Sequence, residues 1–196
     1  MKSEESKFFS RLDISADVSE LSQRLKDMPE LFGRISARKY AAGSPHSGMT
    51  DIWVRYNDYR PFAESGDWSR INDPHESVWY PDSFEIPQAR DIAMKLMAHV
   101  GGERLGGILI TKIPPGGVIE LHTDHGWHAG YYDKYYVAID NAERSIFIFP
   151  DGHFEAKKGD VYWFRNDVQH AVINGSDRDR VAMIVCIRTN KGRAWE

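Results

Sequence analysis

Apolar residues recur along this chain with two different periods, and the change between them divides it. Val18, Leu21, Leu25 and Met28 fall three and four residues apart, which predicts an amphipathic helix over residues 17–28. Ile92, Leu96 and Val100 repeat that spacing behind Pro87, a residue favoured at the first helical position, and Gly101-Gly102 end this second helix. Between them, residues 36–40 and 51–56 read as short strands around a Gly-Ser-Pro-His-Ser-Gly loop. Residues 57–83 are rich in Asp, Pro, Ser, Gly and Trp, keep no period, and predict a long ordered loop or lid. Beyond Gly102 the pattern shortens to strands at 105–113, 117–122, 134–139, 145–149, 161–164, 170–174 and 180–187. Pro114-Pro115-Gly116-Gly117, Asp140-Asn141, Pro150-Asp151-Gly152 and Gly175-Ser176-Asp177 supply the turns. So many short strands imply a β-sandwich or barrel with flanking helices.

Composition narrows the reading. A chain of 196 residues suits one domain, in which residues 1–104 form a helical and loop cover with additional strands and residues 105–188 form the β core. The formal net charge is -4, with no run of like charge, so no nucleic-acid partner is expected. Cys186 is the only cysteine, which excludes an internal disulfide and a thiolate-only metal site and points to a reducing cytoplasm. Residues 1–9 are charged and too short in apolar character for a signal peptide, and no stretch has the length of a membrane span. The pattern leaves the oligomeric state open.

The chemistry concentrates late in the chain. His122 and Asp124, two residues apart, share one side of a strand, and a histidine from a distant strand, His170, would complete a face of two imidazoles and one carboxylate. That is the ligand set of non-haem Fe(II) oxygenases, which leaves positions open for co-substrate and oxygen. The bland alternative is a surface turn in which Asp124 caps its own backbone. A tight turn through residues 175–179 would pair Asn174 with Arg180 and His170 with Ile184, placing His170 and Arg180 on one face of a hairpin. A guanidinium entering a cavity beside Val172, Ala182 and Ile184 demands an anion, and the distal carboxylate of 2-oxoglutarate would meet it. Otherwise Arg180 pairs with Asp177 or Asp179 on a solvated turn. His125 and His128 do not converge with His122 on one ion and read as rim residues. His75, His99 and His153 have no evident partner, and Cys186 reads as core.

From Leu105 to Arg188 the chain resembles the aspartyl/asparaginyl β-hydroxylase group of Fe(II)/2-oxoglutarate dioxygenases. The stretches that carry the likeness run from Thr111 to His122, from Gly159 to Phe164 and from His170 to Asn174, with Arg180-Val181 after them. The resemblance implies a double-stranded β-helix of jelly-roll, cupin-like form. It implies His122 and His170 as iron ligands, Arg180 on the distal carboxylate of 2-oxoglutarate, and Thr111, Lys134 and Tyr136 as further co-substrate contacts. His46, Trp53 and Arg55 lie where that family shapes its substrate entrance, and His125 and Trp127 are expected to face substrate. One departure stands out: the family's best-known members have glycine where this chain has Asp124. The implied activity is hydroxylation of an amino-acid side chain in a polypeptide, or of a free amino acid or small metabolite. It would use Fe(II), 2-oxoglutarate and O2 and release succinate and CO2. Two alternatives stay open: a non-catalytic cupin-like module that binds metal or ligand, and the same chemistry on a nucleobase.

Overall fold

The computed structural model describes residues 6–40 and 43–190; residues 1–5, part of the charged amino-terminal stretch read above, lie outside it. The chain runs β1 (Phe9–Ser15), α1 (Ser19–Asp27), a 3-10 turn at Pro29–Leu31, α2 (Ala37–Tyr40), β2 (Thr50–Tyr56), α3 (Arg60–Ser65), β3 (Val78–Trp79), α4 (Asp82–Glu85) and α5 (Pro87–His99). It continues through β4 (Gly102–Ile113), β5 (Val118–His122), α6 (Trp127–Tyr131), β6 (Asp133–Asp140), β7 (Ser145–Phe149), β8 (Gly152–Phe154), β9 (Asp160–Phe164), β10 (His170–Asn174) and β11 (Arg180–Thr189). A seven-stranded sheet in the order β1-β9-β6-β11-β4-β2-β3 faces a four-stranded sheet in the order β5-β10-β7-β8, and the recorded pairings are antiparallel. This is a double-stranded β-helix. No helix among the described residues is long and apolar enough to cross a membrane.

Alternation along the large sheet sorts its side chains into two cores. On β11, Val181, Met183, Val185 and Ile187 point outward, joined by Tyr135, Val137 and Ile139 of β6 and by Ile108 and Ile110 of β4. Helices α1 and α5 cover that face with Leu21, Leu25, Ile92 and Leu96 of the apolar stripes read from the sequence, joined by Ala93. The opposite faces of the same strands carry Tyr136, Ala138, Ala182 and Ile113, which pack against Phe147, Phe149 and Val172 of the small sheet. One strand face therefore builds the hydrophobic support, and the other lines the space between the sheets.

Three expectations are corrected. Residues 36–40 do not form a strand: Ala37–Tyr40 is a single helical turn, and its Ala-Arg-Lys-Tyr sequence carries no β-branched residue. Gly102 does not end the second helix but opens β4; Gly101 alone makes the turn, at φ +66°. Third, β10 and β11 are not a hairpin. Strand β10 pairs with β5 and β7, while β11 pairs with β4 and β6 in the other sheet. His170 and Arg180 thus reach a common space from opposing sheets rather than from one face.

Candidate metal and co-substrate site

His122 ends β5 and His170 opens β10, and the two are direct cross-strand partners. Their rings lie 4.3 Å apart between centroids. Asp124 follows on the outgoing loop, where its backbone N–H donates to Asn166 O at 2.9 Å and ties that loop to the end of β9. The ligating atoms of His122, Asp124 and His170 all lie within 4.8 Å of one another. Asp124 Oδ1 stands 3.7 Å from His122 Nε2, and Oδ2 stands 3.9 Å from His170 Nε2.

Orientation of the imidazoles follows from their other nitrogens. His122 Nδ1 lies 2.6 Å from the carbonyl of Glu120, and His170 Nδ1 lies 2.9 Å from that of Val168. A carbonyl only accepts, so both Nδ1 atoms carry the proton and both Nε2 lone pairs face Asp124. Burial pushes His170 down to about 4, outweighing the pull of Asp124 in the other direction, and so favours the neutral, ligating form. Burial alone would raise the Asp124 carboxyl, but the Lys134 ammonium, His170 and His122 outweigh it and hold the group below the usual carboxylate range. Lys134, from the inner face of β6, makes a short ion pair with Asp124 Oδ2.

Deeper in the same cavity is Arg180, 3% exposed. Its guanidinium stands 5.0 Å over the Tyr136 ring, its Nε has no hydrogen-bond partner, and no ion pair is recorded for it among the described residues. Burial pulls it below the usual arginine range, with Tyr136 opposing, which states the cost of leaving that charge without an anion. Tyr136 is held in turn by Asn141, whose Nδ2 donates to its hydroxyl at 2.8 Å. Thr111 lies beside them on β4, opposite Ala182, and its hydroxyl donates to Asp51 Oδ1 at 2.7 Å.

His122, Asp124, His170, Arg180, Thr111, Lys134, Tyr136, His46, His125 and Trp127 all line one cavity of about 250 Å³. Arg55 does not: its guanidinium donates to Leu105 O and lies 5.1 Å over Trp79. His128 is no rim residue either. It is buried, accepting the Gly107 N–H on Nε2 at 3.3 Å. The segment 57–83 gives the cavity Asn72, and Tyr56 just precedes it. Arg38, Asp51, Tyr56 and Asn72 escaped the sequence reading. The available signal was Gly106-Gly107 in the middle of an apolar strand, which marks a close approach. A Cβ on Gly107 would stand 2.8 Å from the Tyr56 ring and 3.3 Å from His128 Cε1.

No family model and no curated protein matches the chain. Among solved structures it is similar to a viral collagen prolyl hydroxylase of Paramecium Bursaria Chlorella virus-1, in complex with 2-oxoglutarate. That likeness is at 11% identity and TM-score 0.53, over 95% of this chain and 98% of that one. It is also similar to a Pseudomonas putida prolyl-4-hydroxylase, at 13% identity and TM-score 0.50 over 92% of each chain. At these identities the likeness establishes the fold.

Proposed function

We propose that the protein is an Fe(II)- and 2-oxoglutarate-dependent oxygenase that hydroxylates an amino-acid side chain, a free amino acid or another small metabolite. One observation carries this reading: a two-histidine, one-carboxylate cluster and a buried arginine without an anion open onto the same cavity. The donor set suits Fe(II) with open coordination positions, and the orphaned Arg180 Nε suits the distal carboxylate of a dicarboxylic acid. When bound there, Fe(II) and 2-oxoglutarate would supply the oxidising chemistry, consuming O2 and releasing succinate and CO2.

The chain's own residues position and insulate. His122 and His170 would present fixed Nε2 lone pairs, and Asp124 would offer an ionised oxygen. Arg180 would take the distal carboxylate, with the Tyr136 ring fixing the guanidinium plane. Val172, Ala182, Ile184, Phe147 and Phe164 line the cavity between these ends and keep water from it. A module that merely binds metal gains nothing from a buried, unpaired guanidinium. The lone cysteine, buried Cys186, supports a reducing compartment such as the cytoplasm.

The test is anaerobic addition of Fe(II) and 2-oxoglutarate to the protein. A visible metal-to-ligand charge-transfer band is expected, and Arg180→Ala should weaken 2-oxoglutarate binding by about a hundredfold or more, the scale of a lost buried ionic contact. No band in the unsubstituted protein would overturn the reading.

A further inference from the structure

One group of residues lining the cavity, apart from Arg180, has a one-sided chemistry. Arg38 Nη2 lies 2.9 Å from His46 Nδ1; a guanidinium only donates, so His46 accepts there and its proton sits on Nε2. Asn72 Oδ1 accepts the Tyr56 hydroxyl at 2.9 Å, which leaves the amide nitrogen to a ligand. The Gly107 N–H occupies His128 Nε2, so that ring's proton is on Nδ1. Trp53 and Trp127 carry indole N–H groups, which cannot accept, and both nitrogens are buried without a partner. All these residues line the cavity.

The carboxylates that adjoin Arg38 and Lys134 are already engaged. Asp51 takes the Thr111 hydroxyl and lies 3.5 Å from Arg38, and Asp124 pairs with Lys134. A ligand on this wall therefore meets donors and aromatic faces. Ammonium groups need the opposite, carboxylates or carbonyls that can accept.

We infer that the substrate is a small carboxylic acid whose carboxylate is taken by the donor wall of His46, Trp53, Asn72 and Trp127, while its hydrocarbon part lies against the aromatic rings. Arg38 adds positive charge at the His46 end and fixes that ring's tautomer. The two indole nitrogens, costly while unpaired, are closed to solvent in this structure and gain acceptors when the rings turn toward the acid. The inference rests on the oxygenase reading for one point, that the Arg180 end belongs to the co-substrate.

Indole 15N–1H resonances of the protein loaded with Zn(II) and 2-oxoglutarate give the test. The ligands are the straight-chain acids from propanoate to hexanoate and the amines of matching length. The acids are expected to shift the Trp53 and Trp127 resonances saturably, and the amines to leave them in place. Asn72→Asp, at an exposed position, should weaken acid binding about tenfold or more by opposing the carboxylate with like charge. Trp127→Phe, which keeps a ring and removes the N–H, should weaken it several-fold. Amines binding as tightly as acids, acids that move neither indole, or acid binding unchanged in both variants would each overturn the inference. If the Zn(II) protein takes up no 2-oxoglutarate, the oxygenase reading has failed separately. The same titration is then made on metal-free Arg180→Met, which lacks the other anion site; shifted indoles support the donor wall and unmoved ones refute it.

Discussion

Lys134 presses its ammonium against Asp124 at the point where a metal would draw on the same carboxylate. Two effects then act in one direction when Lys134 becomes Met. The metal-free protein is left with a largely buried, unpaired carboxylate, at a cost of about 1–3 kcal/mol. The metal-bound protein loses a like charge beside the ion. Lys134→Met should therefore lower the thermal midpoint of the metal-free protein and tighten Mn(II) binding by roughly tenfold, as calorimetry would show; weaker binding would mean that Lys134 organises the ligands instead. Thr111 carries a second expectation. The resemblance gives its hydroxyl to the co-substrate, but the single proton goes to Asp51. Thr111→Val should change 2-oxoglutarate affinity less than about threefold and cost about 1 kcal/mol in urea unfolding, because Asp51 loses a donor. Residue type and spacing made His122, Asp124, His170 and Arg180 legible as members of one site, but not by the strand geometry expected: Asp124 stands on the loop after β5, and Arg180 faces His170 from the opposing sheet. The partner of Thr111 was not legible, because Asp51 comes from a strand 60 positions away whose pairing no local pattern specifies.

At the scale of elements, the helices α1 and α5 and most core strands follow from periodicity, whereas the partnering of strands does not. Strand β1 shows why some elements were missed: its Phe-Ser-Arg-Leu-Asp-Ile-Ser sequence buries no residue fully, and an edge pairing with β9 places it. The turn between β10 and β11 looked like a hairpin because five polar and glycine residues join two apolar runs. It is a crossing between sheets, held by one side chain. Asn174 is fully buried, and its Nδ2 reaches the carbonyls of Ile113, Pro114 and Arg178 at 2.9, 3.0 and 2.7 Å. Its Oδ1 accepts from Ser145 and Ser176 hydroxyls. That amide clamps the end of β10 to the end of β4 and the approach to β11, so it sets the span between His170 and Arg180. Asn174→Ala strands several buried polar groups at once and should cost about 3 kcal/mol or more, read from the urea midpoint. Asn174→Asp sets a buried carboxylate oxygen against three carbonyl oxygens and should cost at least as much; a loss under about 1 kcal/mol in the alanine variant would show that water replaces the clamp.

For the whole molecule, the acidic surface and the cavity differ in kind: the net charge is -4, yet Arg38, Lys134 and Arg180 all line the interior space. Neutral buried histidines let the fold hold so many donors together, and they make its stability depend on pH in a definite direction. His128 is 9% exposed, and burial, with Lys134 and His75 adding to it and Asp124 opposing, pushes the ring down to about 3. In the unfolded chain the same ring titrates near its ordinary value of about 6.5. Below that pH the unfolded state takes up a proton that the folded state refuses, so unfolding becomes easier as pH falls from about 6.5 toward 3. Above the unfolded value both states are neutral, and the contribution is constant. Within the window, one such histidine gives a slope of roughly 1.4 kcal/mol per pH unit at most. His128→Phe loses the bond to the Gly107 N–H and should be less stable at neutral pH. Its stability should nevertheless fall less steeply on acidification than that of the unsubstituted protein. Urea unfolding at a series of pH values separates the two effects, because the hydrogen bond shifts the whole curve and the refused proton changes only its slope. Parallel curves for the two proteins would mean that His128 takes up its proton in the folded state, and the tautomer assigned to it on the cavity wall would then be wrong.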